Sequence, residues 1–500
     1  MIKKILLGLL LLVVCLVAVL LWNTIQMKPK EISVEPVEIP ETDEAAIERF
    51  AAAIRIPTVS HESEADFDSI PFLDFAKFLA QTYPYTDSVL EKRVVNKYSL
   101  LYKWEGKNPD LKPVVFMGHM DVVPVAAPQS SLKTEKAPGE LKANINSIWD
   151  VAPFGGEIKD GFIWGRGAVD DKISVIGNME AAEKLLREGY KPERTIYFAF
   201  GHDEELGGEE GAKIIVDLLK SEKVYPEFVM DEGGIITTNK IPNVTAPVAL
   251  VGIAEKGFIS ATLSVDLPGG HSSMPGDDLA IEVLSNAIVK LRQHQPESRL
   301  TPPAKEFLLN IGPLMPFAER IVFANLWLFE GLMVKIYEGS SVGNATVRTT
   351  TAPTIFNSGY KDNVLPTKAK ATVNFRILPG ETTDDVVSHI KEVVADDRIV
   401  VEKGNFLSEP SPVSPTSNGG FKLIEKSILQ IFPEVNVAPY LVVGGTDSRY
   451  YNEICENIYR FTPITDPIGF HDINERLSIE DYKKSIVFYY QIIKNAGNLN

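Results

Sequence analysis

The sequence predicts an α/β fold with a mostly parallel sheet flanked by helices, an inserted α+β domain and an N-terminal membrane helix. Short apolar runs rich in β-branched residues alternate with helical stretches, a pattern typical of parallel strands joined by crossover helices. The alternation stops between residues 257 and 376, where strand-like runs bracket a helix and an unusually apolar stretch. Near the N-terminus, 18 consecutive residues carry no charge. These three observations define the predicted architecture.

The chain of 500 residues is too long for one ordinary domain, and hydrophobic residues at 45% exclude a disordered chain. We predict a signal anchor or transmembrane segment at 1–28 and an extended tether at 29–42, which contains three prolines. A catalytic domain is predicted at 43–256 and 377–500. The inserted domain is predicted at 257–376.

The uncharged run Ile5–Trp22 is long enough to cross the hydrocarbon core of a bilayer as a helix. No small-x-small cleavage site follows it in Asn23–Met27, which favours an uncleaved anchor. Lys3 and Lys4 favour a cytoplasmic N-terminus, so the large domain is expected outside the cytoplasm. The alternative is a secreted protein, cleaved near Val17–Val19.

Charge and cysteine content exclude two classes of function. Acidic residues outnumber basic ones 67 to 50, for a net charge of −17, which disfavours binding to nucleic acid. With only two cysteines, neither a disulfide framework nor a cysteine-ligated zinc site is available. Any metal site must therefore use histidine and carboxylate ligands.

Histidines and carboxylates cluster in five short segments, most of which directly follow a predicted strand. The carboxyl ends of strands are where open α/β sheets bind their ligands, so these side chains are expected to converge. Each segment alone has an ordinary structural explanation, such as a core histidine, a helix N-cap or a solvated acidic loop. The segments are GHMDVVP with His119 and Asp121, WGRGAVDDK with Asp170 and Asp171, GHDEELGG with Glu204 and Glu205, MDEGG with Asp231, and GFHDINERL with His471.

In this order, the five segments resemble the motifs of the dinuclear zinc metallopeptidase and amidohydrolase family of aminoacylase, carnosinase and carboxypeptidase S. The resemblance covers about Thr42 to Asn500. It is strongest to the carboxypeptidase S and N-fatty-acyl-amino-acid synthase/hydrolase branch, because of RIPTVS at 55–60, NATVRTTTAPTIF from Asn344 and VGGTDSRYY from Val443.

The resemblance implies a site with two Zn²⁺ ions per chain, held by histidine nitrogens and carboxylate oxygens. It assigns His119, Asp170 and Asp231 to one zinc, and Asp170, Glu205 and His471 to the other, with Asp170 bridging. Glu204 is the implied general base, and Asp121 the residue that orients His119. The Asp170–Asp171 peptide is expected to be cis.

The inserted domain is implied to be a lid that supplies substrate contacts. His271, in LPGGHSSMP, is expected to stabilise the oxyanion, and Arg376 to bind a substrate carboxylate. Asn363 and Gly445 are further expected substrate-binding positions. The resemblance also allows a homodimer formed through the lid domain.

The predicted activity is zinc-dependent hydrolysis of an amide next to a free-carboxylate amino acid, as in a carboxypeptidase S-like enzyme acting on small peptides. One alternative is an N-fatty-acyl amino acid hydrolase/synthase, in which the apolar stretch Phe307–Tyr337 forms an acyl channel rather than a buried helix pair. Another alternative is a non-catalytic, membrane-anchored binding ectodomain. Competent residue types at every metal and base position argue against it.

Overall fold

The computed structural model describes residues 1–30, 32–63, 65–125 and 149–499. Most of the polar insertion predicted at 125–149 lies outside the described residues. The chain forms two compact units. The first unit comprises Met1–Lys30, Ala254–Val413 and Pro439–Gly445, and the second comprises Glu31–Ile253, Ser414–Ala438 and Thr446–Asn500.

Helices and strands alternate along much of the described chain. The helices are α1 (Ile2–Gln26), α2 (Ala45–Ile54), α3 (Ile70–Thr82), α4 (Pro84–Val89), α5 (Lys172–Arg187), α6 (Ala212–Ser221), α7 (Ala280–Gln293), α8 (Pro302–Ile311), α9 (Phe317–Ala324), α10 (Leu326–Glu338), α11 (Ser341–Val347), α12 (Thr383–Val394), α13 (Gly419–Ile431) and α14 (Ile479–Gly497). The strands are β1 (Glu91–Val95), β2 (Ser99–Trp104), β3 (Val114–His119), β4 (Glu157–Lys159), β5 (Phe162–Trp164), β6 (Ile196–Gly201), β7 (Phe228–Asp231), β8 (Ile236–Thr237), β9 (Val248–Glu255), β10 (Gly257–Asp266), β11 (Gly270–His271), β12 (Thr350–Ser358), β13 (Val364–Leu365), β14 (Lys368–Ile377), β15 (Ile399–Ser408), β16 (Asn436–Val442), β17 (Ile458–Arg460) and β18 (Arg476–Ser478).

The large sheet has the order β1-β2-β6-β3-β7-β17-β9-β16, with β8 against β9. Its middle is parallel, since β3 pairs in parallel with both β6 and β7, and β17 does so with β7. The prediction of a mostly parallel sheet is wrong towards the edges, where β1–β2, β2–β6 and β17–β9 are antiparallel. At one edge the cause is a tight hairpin, in which Asn96 and Lys97 adopt φ of 43° and 74°.

Helix α5 packs against α14 in the second unit. An added Cβ on Gly177 would lie 2.5 Å from the ring of Tyr489, so only glycine permits this approach. The Tyr489 hydroxyl donates a hydrogen bond of 3.0 Å to Ser174 Oγ. Nearly all of α5 is therefore buried, and the segment before it, with Asp170 and Asp171, is held at the end of the sheet.

The first unit is built on a four-stranded antiparallel sheet of order β12-β14-β10-β15. Alternate residues of β10 are buried, and they form a core with α7 and α12. The unit runs on to Val413, beyond the predicted end at residue 376, because β15 pairs with β10 and α12 packs on the same sheet. The apolar stretch Phe307–Tyr337 lies in this unit and spans α8 to α10.

Helix α1 also belongs to the first unit. It has 25 residues, its most apolar 18-residue window has a mean hydropathy of 3.2, and none of that window is buried. By length and composition it is able to cross a membrane, a property that an N-terminal signal sequence shares. Helix α1 contacts α9, and Asn23 near its C-terminal end donates a hydrogen bond to Asn325, the residue between α9 and α10.

Candidate metal centre

The side chains of His119 and His471 meet on the carboxylate of Asp170. His119 is the last residue of β3, and His471 comes eight residues before α14. His119 Nε2 lies 2.8 Å from Asp170 Oδ1, and His471 Nε2 lies 2.7 Å from Asp170 Oδ2. Each oxygen of Asp170 is thus shared with a different histidine, the arrangement that a bridging carboxylate requires.

The C-terminal segment reaches Asp170 through a small sheet of order β18-β5-β4. Strand β18 follows His471 and pairs antiparallel with β5, which leads into the WGRGAVDDK segment. Two segments about three hundred residues apart are therefore fixed against each other. The Asp170–Asp171 peptide is cis, as expected.

Glu205 completes a group of ligand atoms that fits a cation. Atoms of His119, Asp170 and Glu205 lie within 4.8 Å of one another, and His471 Nε2 lies 3.3 Å from Glu205 Oε2. Glu205 Oε1 is buried and has no hydrogen-bond partner among the described residues. A buried carboxylate oxygen without a partner is costly, and a metal ion would satisfy it. Imidazole and carboxylate ligands suit Zn²⁺.

Asp231, the other predicted ligand, ends β7 and is buried. Its Oδ2 accepts a hydrogen bond of 2.9 Å from the backbone N–H of Ser448. The structure also brings Glu232 to His119, with 3.4 Å between Glu232 Oε1 and His119 Nε2, and groups both with Asp171. Asp231 therefore stays a predicted ligand. Glu232 was missed, although it is the next residue in the same MDEGG segment.

The electrostatics of the cluster are dominated by burial and by the two histidines. Burial alone would raise the pKa of Asp170, but hydrogen bonds with His119 and His471 hold it well below its usual value. Hydrogen bonds with Asp170 and Glu205 raise the pKa of His471 to about 10. Burial raises the pKa of Glu205. Positive charge is thus stabilised at this point, as a cation site requires.

Glu204 lies in the same turn as Glu205, at the start of a 3₁₀ helix that follows β6. Only 12% of its side chain is exposed, and its Oε1 lies 3.5 Å from Arg449 Nη2. Burial raises the pKa of Glu204 well above its usual value, while the Arg449 charge opposes this shift. A carboxylate with a raised pKa is suited to accept a proton and return it.

Asp121 connects the first histidine to the Glu204–Glu205 turn. Its two oxygens accept the backbone N–H groups of Glu204 and Glu205, each at 3.1 Å. Asp121 Oδ1 lies 3.3 Å from His119 Nδ1, and Oδ2 accepts a hydrogen bond of 2.5 Å from the Ser60 hydroxyl. Asp121 is thus positioned to orient both the ring of His119 and the turn.

Glu475 and Arg166 form a buried pair that sequence reasoning missed. Glu475 Oε1 accepts the backbone N–H groups of Val169 at 2.7 Å and Asp170 at 3.3 Å, and Oε2 lies 2.6 Å from Arg166 Nη1. Glu475 lies in the segment GFHDINERL and Arg166 in WGRGAVDDK. The opposite charges of these two side chains could have indicated that the segments pair. Glu475 fixes the backbone that carries Asp170.

Replacing Glu475 by glutamine should weaken metal binding. The amide loses its charged pair with Arg166, and partners of this kind typically change metal affinity by about 10- to 100-fold. Zinc affinity, measured by titration with a competing chelator, should fall by that factor. Glu480→Gln is the matched control, because Glu480 is an exposed glutamate in the first turn of α14. Unchanged affinity in Glu475→Gln would contradict the positioning role.

The remaining predicted residues lie in the first unit. His271 pairs with Val364 across β11 and β13, and the backbone N–H of Ser272 donates to the carbonyl of Asn363 at 3.3 Å, so His271 and Asn363 are close. Arg376 on β14 places its guanidinium 4.7 Å from the centre of the Phe258 ring. Gly445 ends the last segment of the unit. Their roles in substrate binding stay predictions.

The sequence of residues 115–495 matches the model of peptidase family M20/M25/M40. The chain belongs to this peptidase family. This chain is 40% identical to the probable carboxypeptidase S-like 2 of Dictyostelium discoideum, over 99% of this chain and 93% of that protein. It is 38% identical to the N-fatty-acyl-amino acid synthase/hydrolase PM20D1.1 of Danio rerio, over 94% of this chain and 89% of that protein.

Solved structures share the fold of this family member. An M20 family metallo-carboxypeptidase from Sulfolobus solfataricus has a TM-score of 0.66 at 18% identity, covering 91% of this chain and all of that one. Human carnosine dipeptidase 1 has a TM-score of 0.62 at 14% identity, covering 91% of this chain and 96% of that one. The family match and the carboxypeptidase S-like relative confirm the resemblance to the metallopeptidase and amidohydrolase family, and the protein is a hydrolase of that class.

Proposed function

We propose that the protein is a di-zinc exopeptidase that hydrolyses the amide bond next to an amino acid with a free carboxylate, with small peptides as substrates. The observation that carries the proposal is the sharing of the Asp170 carboxylate between His119 and His471, beside the unpartnered oxygen of Glu205. One zinc would be held by His119, Asp170 and Asp231, and the other by Asp170, Glu205 and His471. The carboxypeptidase S-like relatives support this substrate class.

When bound, two zinc ions lower the pKa of a water and polarise the substrate carbonyl. Glu204 takes the proton from the attacking water and delivers it to the leaving amine, a role for which its raised pKa is suited. Asp121 holds Glu204 through the backbone N–H and orients His119. Arg449, beside Glu204, keeps the carboxylate form accessible by opposing the effect of burial.

The first unit is proposed to supply the substrate contacts. The imidazole of His271 stabilises the oxyanion of the tetrahedral intermediate, and the guanidinium of Arg376 pairs with the substrate carboxylate. Asn363 and Gly445 are proposed to contact the substrate as well. The exposed position of His271 leaves its Nε2 accessible, since its Nδ1 is engaged by the Ser273 hydroxyl at 2.7 Å.

Arg376→Ala should mainly cost discrimination for substrates with a free carboxylate. A hydrogen bond to a charged group contributes about 1.5–3 kcal/mol, so kcat/KM for a free peptide should fall about 10- to 100-fold. The same peptide with an amidated C-terminus should be unaffected. Lys370→Ala removes an exposed cation from the same strand and should change neither value. An equal loss for both peptides would contradict carboxylate binding by Arg376.

The second candidate is an N-fatty-acyl amino acid hydrolase/synthase, the name carried by the relatives from Danio rerio and other vertebrates. The apolar stretch Phe307–Tyr337 motivates it. In the structure Phe323, Leu326 and Met333 are buried, which favours a packed helix pair for these residues. Trp327 is exposed, so it is the better probe of an acyl contact.

A panel of blocked dipeptides and N-acyl amino acids of increasing chain length distinguishes the two candidates. For the exopeptidase we expect kcat/KM on N-acyl substrates to be independent of chain length. An acyl-binding site would instead gain up to about 0.8 kcal/mol, roughly fourfold, for each buried methylene. In that case Trp327→Gln should reduce the increase of kcat/KM with acyl-chain length. Tyr360→Gln, which replaces another exposed aromatic residue of the first unit, should leave that increase unchanged. A rising dependence would overturn the peptide assignment.

We propose that α1 anchors the protein in a membrane, with the catalytic part outside the cytoplasm. The alternative is a secreted protein. A homodimer through the first unit remains part of the proposal. The third candidate function, a binding ectodomain without activity, is disfavoured because each proposed ligand and base position holds a competent side chain.

A further inference from the structure

An exposed apolar surface lies on α9 and α10, next to the end of α1. The face consists of Phe317 at 53% exposed, Trp327 at 62%, Leu328 at 44%, Leu332 at 47% and Ile336 at 56%. Leu328, Leu332 and Ile336 are spaced four residues apart, so they lie on one side of α10. Contiguous exposed apolar surfaces are rare on soluble proteins and mark interaction sites. We call these five side chains the α9–α10 face.

Hydrogen bonds hold the C-terminal end of α1 against the rest of the first unit. Asn23 Nδ2 donates to Asn325 Oδ1 at 2.8 Å, and Asn325 Nδ2 donates to the carbonyl of Leu20 at 3.1 Å. Thr24 and Asn325 are both fully buried at 0%. Trp327 Nε1 donates to the same Asn325 oxygen at 3.3 Å, which ties the α9–α10 face to this junction. Cleavage of α1 would leave Asn325 without these partners, so the structure favours a retained helix.

The level of this junction along α1 follows from helix geometry. Ile5–Trp22 is about 27 Å long at 1.5 Å per residue, close to the roughly 30 Å thickness of the hydrocarbon core. With that run in the bilayer, Leu20 and Asn23 lie at the boundary between hydrocarbon and headgroups. The start of α10, with Trp327, is held at the same boundary, because Asn325 contacts both residues and immediately precedes α10.

We propose that the α9–α10 face is a second membrane contact, with Phe317, Trp327 and the three aliphatic residues of α10 in the interfacial layer beside α1. The proposal rests on α1 being the membrane anchor. Indole rings prefer this layer, and an apolar helix face with a charged side chain such as Lys335 at its edge is typical of monotopic contacts. None of the most apolar window of α1 is buried, so α1 itself needs lipid, and continuity of the face with α1 favours a bilayer over a second copy of the chain.

Quenching of tryptophan fluorescence by brominated lipids tests the contact directly. The full chain, one copy per phosphatidylcholine nanodisc, carries Trp22→Phe so that the anchor itself is silent. Trp104, Trp149 and Trp164 are buried in the second unit and give a constant background. We expect Trp327 to be quenched by lipids brominated near the headgroup, and the quenching to be lost in Trp22→Phe/Trp327→Phe.

Tyr360→Trp in that double variant is the matched control. Position 360 is exposed in the first unit and lies outside the α9–α10 face, so the new indole should stay unquenched. Phenylalanine at the exposed position 327 leaves the core unchanged, and unaltered circular dichroism verifies folding. Equal fluorescence of Trp327 in brominated and ordinary lipid would overturn the proposal. That result would also be obtained if a second copy or another protein covered the face.

Discussion

Glu204→Gln should retain the bound metal and lose turnover by about 10²- to 10⁴-fold, the usual contribution of a general acid–base group. The amide keeps the shape of the side chain and the backbone hydrogen bond to Asp121, but it cannot carry a proton. Single-turnover kinetics together with metal analysis of the same sample measure both quantities. Because KM depends on other groups, the loss should fall on kcat.

The control for this variant is Glu209→Gln, which changes an exposed glutamate close to the same turn. It should have wild-type turnover and metal content. Near-normal turnover in Glu204→Gln would show that Glu204 is not the base. Loss of metal together with turnover would assign Glu204 to the metal site instead.

Removal of metal should abolish activity completely, and the full-length protein should contain two zinc ions per chain. The buried carboxylates of Asp170, Glu205 and Glu232 lie beside the two histidines, and without a cation only the histidines offset the repulsion among these carboxylates. Chelation should therefore also lower the melting temperature, since ligands that bind only the folded state stabilise it. Elemental analysis and calorimetry before and after chelation measure these effects.

His471→Ala should reduce the zinc content towards one ion per chain, whereas His294→Ala, an exposed histidine of the first unit, should leave it unchanged. Zinc added back to the chelated protein should restore activity. Full activity in protein that contains no transition metal would disprove the zinc mechanism. Absence of both bound metal and activity would instead favour the binding-ectodomain candidate.

Much of the candidate metal centre could be located from the sequence, because apolar runs indicate where strands end. The apolar, β-branched run Val114–Met117 predicts a strand, and β3 ends at His119, so the histidine lies at the end of its strand. Asp170 and His471 were identified only through their motifs, since residues about three hundred positions apart show no local sign of contact. Glu232 and Glu475 were missed because their role depends on side-chain direction and on burial.

The fold was less predictable where local signals are weak. The β1–β2 hairpin turns through Asn96 and Lys97 without a glycine, and its antiparallel pairing was not expected. The end of the first unit at Val413 depends on β15 pairing with β10, a long-range contact. The junction of Asn23 with Asn325 spans 302 residues and has no sequence signature at all.

The packing of α14 on α5 imposes an order on the maturation of the enzyme. Protein synthesis proceeds from the N-terminus, so His471, Glu475 and α14 leave the ribosome after Asp170 and after the whole of the first unit. Asp170 emerges about three hundred residues earlier and must wait for its histidine and its backbone partner Glu475. A nascent or prematurely terminated chain therefore carries an incomplete centre. With the proposed site, hydrolytic activity would be withheld until the segment from His471 through α14 has been synthesised and packed.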